Sequence, residues 1–157
     1  MTEQPRIERT LVIVKPDAVQ RSLIGQIISR FERKGFRIVA LKMMCIDVPL
    51  AERHYIVHKG KPFYDRLIKF ITSGPVVVMA VEGYSAILGV RRLLGATDPA
   101  EAAPGTIRAD FGTRISSNLV HGSDSFVTAR RELELFFSPL DFVARFADGE
   151  PCLESEE

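Results

Sequence analysis

The chain of 157 residues has no tryptophan, only two cysteines and almost no net charge, and each shortage closes off a class of protein. Cys45 sits in an apolar run and Cys152 in a polar tail; two cysteines so placed build no disulfide framework, and a reducing, cytoplasmic setting is expected. Lys and Arg number 21 against 20 Asp and Glu, so there is no basic surplus to hold nucleic acid by phosphate neutralisation alone. No apolar run approaches the roughly 20 residues that a membrane helix needs, and Met1 to Glu8 is polar. The expectation is a soluble, unprocessed chain. Two phosphate-binding loops are missing as well. No Gly-x-Gly-x-x-Gly follows a strand and no Gly-Lys-Ser/Thr occurs, so phosphate, if bound, must be held by side chains.

What is present suits one globular domain, with 46% hydrophobic and 26% charged residues. Thr10 to Val14 is rich in β-branched residues and stops at Lys15-Pro16, which predicts a central strand delivering a lysine at its end. Ile24, Ile27, Ile28 and Phe31 recur at helical spacing with Gly35 as C-cap. Phe36 to Ile46 reads as a long strand. Pro49 opens a shorter helix carrying His54 and His58, which are spaced to share a metal. No third zinc ligand lies nearby in sequence, so an exposed helical face is expected. Phe63, Leu67, Phe70 and Ile71 form another helical stripe ended by Ser73-Gly74-Pro75, and Val76 to Val81, bounded by Gly83, predicts a buried strand. Ser85 is positioned to cap a helix with Ile87, Val90 and Leu94 inward and Gly95 at its close. Ala96 to Ser117 shows no periodicity, which is long for a loop and suits a binding element. A brief strand at Leu119-Val120 and a helix from Phe126 to Phe137 complete the core, followed by an acidic tail over 148–157 that is expected to be disordered. Stripped of extra helices the order is βαββαβ, an α+β pattern that most simply gives a four-stranded antiparallel sheet covered by helices.

The stretch Asn118 to Ser125 carries the chemistry. His121 falls between a strand and a helix start, and imidazole is largely neutral yet nucleophilic near pH 7. Gly122 would let the backbone turn behind it, and Asp124 or Ser125 would cap the helix, whose positive end suits an anionic ligand. Lys15, Arg91 and Arg108 supply cations at element ends and in the loop, Thr97 and Asn118 neutral hydrogen bonds, and Tyr55 a phenol. Glu132 is placed to reach back and hold one ring nitrogen of His121. Each of these taken singly also fits a bland role: solvated Arg and Lys, a packed Tyr55, a turn at Thr97, a solvated Glu132.

Together they carry a resemblance. Lys15-Pro16-Asp17-Ala18-Val19-Gln20-Arg21, Lys61-Pro62-Phe63, Ser73-Gly74-Pro75-Val76, Pro104-Gly105-Thr106-Ile107-Arg108 and Asn118 to Ser125, in order over about residues 8–137, make the chain similar to nucleoside diphosphate kinases. The resemblance implies a ferredoxin-like fold and a Mg²⁺-dependent, two-step exchange of the terminal phosphate between nucleoside triphosphates, chiefly ATP, and diphosphates. It makes His121 the nucleophile, with its other nitrogen held by Glu132, itself supported by Ser123. Lys15, Tyr55, Arg91, Thr97, Arg108 and Asn118 match positions that contact phosphates or sugar in the family, and Phe63 and Leu67 those that flank the base. Phe63 is then expected at a cleft mouth rather than in the core. No direct protein ligand for Mg²⁺ is implied; the ion rides on the nucleotide, with Asp124 at most an indirect contact.

The family also implies a homo-oligomer, hexamer or tetramer. Many members end in a tryptophan-containing segment that contributes to subunit packing, and this chain ends differently, so the size stays open. Two rival readings of the same pattern are a nucleic-acid-binding or regulatory module, since four-stranded βαββαβ sheets also serve as RNA platforms, and a catalytically silent relative. The chain lacks an aromatic RNP-like strand, and every named site residue is intact.

Overall fold

The computed structural model describes residues 6–143. Four strands, β1 (Ile7–Val14), β2 (Arg37–Met44), β3 (Val76–Tyr84) and β4 (Val120–Gly122), form one sheet in the order β2-β3-β1-β4, every pairing antiparallel. Among the described residues seven α-helices accompany them: α1 (Pro16–Gln20), α2 (Ile24–Lys34), α3 (Val48–His54), α4 (Tyr64–Ile71), α5 (Ala86–Leu94), α6 (Ile107–Phe111) and α7 (Phe126–Phe136). This is the expected α+β, ferredoxin-like arrangement.

Period-two alternation decides which layer each strand residue joins. Val12 and Val14 of β1 with Val77, Met79 and Val81 of β3 pack under α2 and α5, against Ile27, Phe31, Val90 and Leu94. Leu11 and Ile13 with Val76, Val78 and Ala80 face the other way, against Ile71, Leu133 and Phe136 of α4 and α7. Both faces are therefore covered, which is why β1 and β3 read as nearly continuous apolar runs. Phe31 has no exposed surface, and a side chain of that kind contributes about 1.5–3 kcal/mol by leaving water. Gly35 closes α2 in the left-handed region at φ 95°, as its place in the sequence predicts.

Several local expectations need correction. The segment opened by Pro49 is not one helix: α3 ends at His54, and His58 belongs to a separate 3-10 turn, Ile56–His58. His54 is consequently not on an exposed face but buried at 3% exposure. Gly83 does not bound β3, which continues to Tyr84; a Cβ at Gly83 would meet the Phe36 ring at 2.5 Å, so the glycine makes room for that ring. Ser85 stands at the start of α5 but at φ 50° with no capping bond from its side chain, and Glu8 from β1 accepts from the Ile87 amide at 3.0 Å instead. The stretch 96–117 contains α6, whose cap Thr106 accepts from the Ala109 amide at 3.3 Å. Finally, Gly122 makes no turn. It is the last residue of β4, paired with Val12, and a Cβ there would meet Leu94 at 2.8 Å. The helix from Phe126 is capped by Ser125, whose side chain accepts from the Thr128 amide. Val127, expected on its apolar side, is 76% exposed. The acidic tail lies outside the described residues.

Candidate active site

Strand register places the histidine. His121 pairs with Ile13 across β1 and β4, so its ring shares the face of Leu11 and Ile13 and meets α3 and α7; the flanking Val120 and Gly122 face α5. Its Nε2 lies 3.0 and 2.9 Å from the two carboxylate oxygens of Glu132 on α7. Ser123 ties that carboxylate to the sheet: its hydroxyl donates to Glu132 Oε1 at 2.6 Å and accepts from the Leu11 amide at 3.3 Å. Glu132 is only 2% exposed. Burial pushes its carboxyl up, but the hydrogen bond and charge of His121 outweigh this, with His54 and Ser123 adding to the effect, and the net shift is downward. An ionised carboxylate can only accept, so Nε2 carries the ring proton and Nδ1 has the free lone pair.

The cations gather at the adjacent sheet end. Lys15 follows β1 directly, is 9% exposed, and donates from Nζ to Asn118 Oδ1 at 2.8 Å. Burial and the nearby Arg108 guanidinium pull its pKa down to about 8, against a smaller upward pull from Asp17. Arg108, on α6, gives three N–H groups to the carbonyls of Gly95, Asn118 and Val120 at 2.8, 3.2 and 2.7 Å. That leaves two of its five donors, on a guanidinium whose pKa burial and Arg91 lower to about 10. Asn118 also binds the Thr97 carbonyl through Nδ2 at 3.0 Å. Arg91 and Thr97 are exposed, Arg91 close enough to Arg108 to repel its charge. Leu119, between Asn118 and β4, is held at φ 75° by two bonds: its amide donates to Asp17 Oδ2 at 3.1 Å and its carbonyl accepts from the Lys15 amide at 2.8 Å. A leucine in the left-handed region costs on the order of 1–3 kcal/mol, so the surrounding structure fixes it there.

Tyr55 is buried, and burial with the Glu132 charge raises its phenol pKa. Phe63 is 38% exposed, edge-on to His58 at 5.5 Å and under the Lys61 ammonium at 5.8 Å; Leu67 is half-buried behind it. Phe63 thus stands at a surface and not in the helical core stripe. Asp124 is exposed. The structure brings together His121, Glu132 and Ser123, and separately Lys15, Arg108 and Asn118, while Phe63 and Leu67 lie with the turn after α3. One residue that sequence reasoning assigns to an exposed face stands in the centre. His54 packs its ring edge-on to His121 with centroids 4.7 Å apart, and its Nδ1 is 3.3 Å from Glu132 Oε2. The partners of His54 are thus His121 and Glu132 and not His58, four residues on. A concavity of about 480 Å³ between α2 and α5, lined by Phe36, Tyr84, Leu88 and Arg92, lies on the other face and brings none of these groups together.

Fold and site together suit an α+β phosphotransferase that has no glycine-rich phosphate loop in its sequence. Comparison with known proteins narrows this. A family model described as nucleoside diphosphate kinase matches residues 8–142. The chain is 60% identical over 136 residues to the nucleoside diphosphate kinase of Pyrococcus furiosus, covering 85% of this chain and 84% of that one. It is 56% identical over 137 residues to that of Thermus thermophilus, covering 87% of this chain and all of the relative. Among solved structures, the Halobacterium salinarum enzyme in complex with CDP superposes with a TM-score of 0.88 at 51% identity, covering 91% of this chain and 95% of that one. The Aquifex aeolicus enzyme gives 0.86 at 45% identity, covering 88% and 100%. The chain belongs to the nucleoside diphosphate kinase family. Among the described residues no helix is long and apolar enough to cross a membrane.

Proposed function

We propose that this chain exchanges the terminal phosphate between nucleoside triphosphates and diphosphates in two steps, with His121 as the carrier. The observation that carries the reading is the Glu132 carboxylate on Nε2, which leaves Nδ1 deprotonated for attack. In the first step the Nδ1 lone pair forms a bond to the γ-phosphorus, the bond to the bridging oxygen breaks, and the diphosphate leaves with that electron pair. The imidazole keeps its Nε2 proton against Glu132, which balances the positive charge on the ring. In the second step a terminal oxygen of an incoming diphosphate takes the phosphoryl group, and the P–N bond returns its pair to Nδ1. Lys15, Arg108 and Arg91 neutralise charge on the equatorial oxygens, Asn118 orients Lys15, and Tyr55 and Thr97 add hydrogen bonds. Phe63 and Leu67 hold the base by its face, which is tolerant of base identity.

Mg²⁺, as the resemblance implies, would supply further neutralisation of the phosphates when bound with the nucleotide. The donor set fits an ion carried by the nucleotide. Among the described residues the one group that could hold a metal is His54, His121 and Glu132, which is rich in nitrogen and internally bonded rather than an oxygen cage. Asp124, which is exposed, would contact such an ion at most indirectly. The chain works as a homo-oligomer, a reading supported by the sheet-edge strand β2, which exposes Leu41 and Met43 at 53% and 60%.

Brief incubation with γ-labelled ATP and Mg²⁺ is expected to give a phosphoprotein that is acid-labile, alkali-stable and discharged by any nucleoside diphosphate. Label retained by His121→Ala would overturn the reading.

A further inference from the structure

His54 is the one ionisable side chain at the centre of the site that the proposed mechanism leaves without a task. It is 3% exposed, and neither ring nitrogen has a hydrogen-bond partner. A polar ring buried without bonds is costly, and a phenylalanine of similar shape would fill the space between Tyr55, His121 and Phe136 without that cost. The nitrogen therefore matters. Nδ1 lies 3.3 Å from Glu132 Oε2, close enough for electrostatic contact but out of alignment for a hydrogen bond, and the same oxygen binds His121 Nε2 at 2.9 Å. Two imidazoles thus share one carboxylate oxygen.

We propose that His54 is a positioning residue for phosphate transfer: its Nδ1–H dipole draws on Glu132 and so limits how strongly that carboxylate holds the proton on His121. The inference rests on His121 being the carrier. With an ionised acceptor beside it, the neutral His54 ring carries its proton on Nδ1. It stays neutral at working pH because burial, with repulsion from His121, Arg131 and Lys15, lowers its pKa to about 3 against the pull of Glu132. It can therefore weaken Glu132 as a base without ever competing as a full cation. The groups facing the cluster are Lys15 beyond β1, Tyr55 beyond α3, His58 in the turn that follows, and Arg131 on α7 beside Glu132 itself. None of these meets the carboxylate as His54 does: His54 shares Oε2 with Nε2, while Ser123 holds Oε1.

The sign of the effect is fixed. Removing the His54 dipole leaves Glu132 a stronger acceptor, the doubly protonated His121 ring becomes easier to form, and the fraction with a free Nδ1 falls at acidic pH. His54→Phe and His54→Met, both without a donor, are expected to raise the His121 titration midpoint by about half a pH unit or more, read by ¹⁵N NMR of the nucleotide-free protein. The acid limb of kcat/KM for phosphoenzyme formation is expected to move with it, KM for nucleotide staying near the parent value. His54→Gln, which keeps an amide donor, is expected to return the midpoint towards the parent. An unmoved midpoint in folded His54→Phe or His54→Met, or a His54→Gln protein that titrates as they do, overturns the proposal. The NMR reading needs no turnover, so it stays separate from a failure of His121 to take label.

Discussion

Lys15 shows how one side chain sets opposite demands on activity and stability. With its pKa pulled from 10.5 to about 8 by burial and Arg108, the ammonium is lost as pH rises through about 8, and kcat/KM for phosphoenzyme formation is expected to fall along that limb. In the nucleotide-free protein the unfolded chain holds this proton more tightly between about pH 8 and 10.5, so folding gains stability from this group over the same window. Urea midpoints measured against pH are expected to show that contribution, a comparison of parent with Lys15→Met isolating it. Asp17 makes a second case: Asp17→Ala removes the acceptor of the Leu119 amide and is expected to cost about 1–2 kcal/mol in urea unfolding, with a fall in kcat as the start of β4 shifts. Much at this scale was legible in the chain, because Lys15 directly follows one short apolar run and Asn118 and His121 flank another. His54 was not, since a helix that stops at residue 54 instead of continuing past 58 turns a solvent-facing position into a buried one, and no local pattern marks the stop.

Elements depend here on glycines placed against one ring. Phe36 is wedged so that a Cβ at Gly83 of β3 or at Gly89 of α5 would each come within 2.5 Å of it. Gly83→Ala and Gly89→Ala are each expected to destabilise by about 1–3 kcal/mol in thermal or urea unfolding, and combining either with Phe36→Leu is expected to recover part of the loss. Read in sequence, Gly83 marks a strand end; in the fold it is a cleared space inside β3, and only the partner ring explains it. The helices with clear periodicity, α2 and α5, were legible because one face of each is buried in the same core. Helix α6 was hidden by its length, five residues offering too little periodicity to stand out from the prolines and glycines around it. Its capping threonine was the available signal. Ser125→Ala, which removes the cap of α7, is expected to cost about 1 kcal/mol and to show as a lowered Tm.

At the level of the whole molecule, the sheet order leaves β2 and β4 as its two edges. Light scattering is expected to give a mass several times that of one chain, and Met43→Lys on the exposed side of β2 is expected to lower it if that edge carries the contact. The other edge has a different consequence. His121 sits in a strand of three residues whose only neighbour among the described residues is β1, and that same β1 runs directly into Lys15 and bonds Ser123 at both its amide and its hydroxyl. Peeling away so short a ribbon would scatter nucleophile, counterion and phosphate clamp in a single event. On slow heating, turnover should therefore vanish several degrees before the helical circular-dichroism signal fades, and return intact on cooling from that interval.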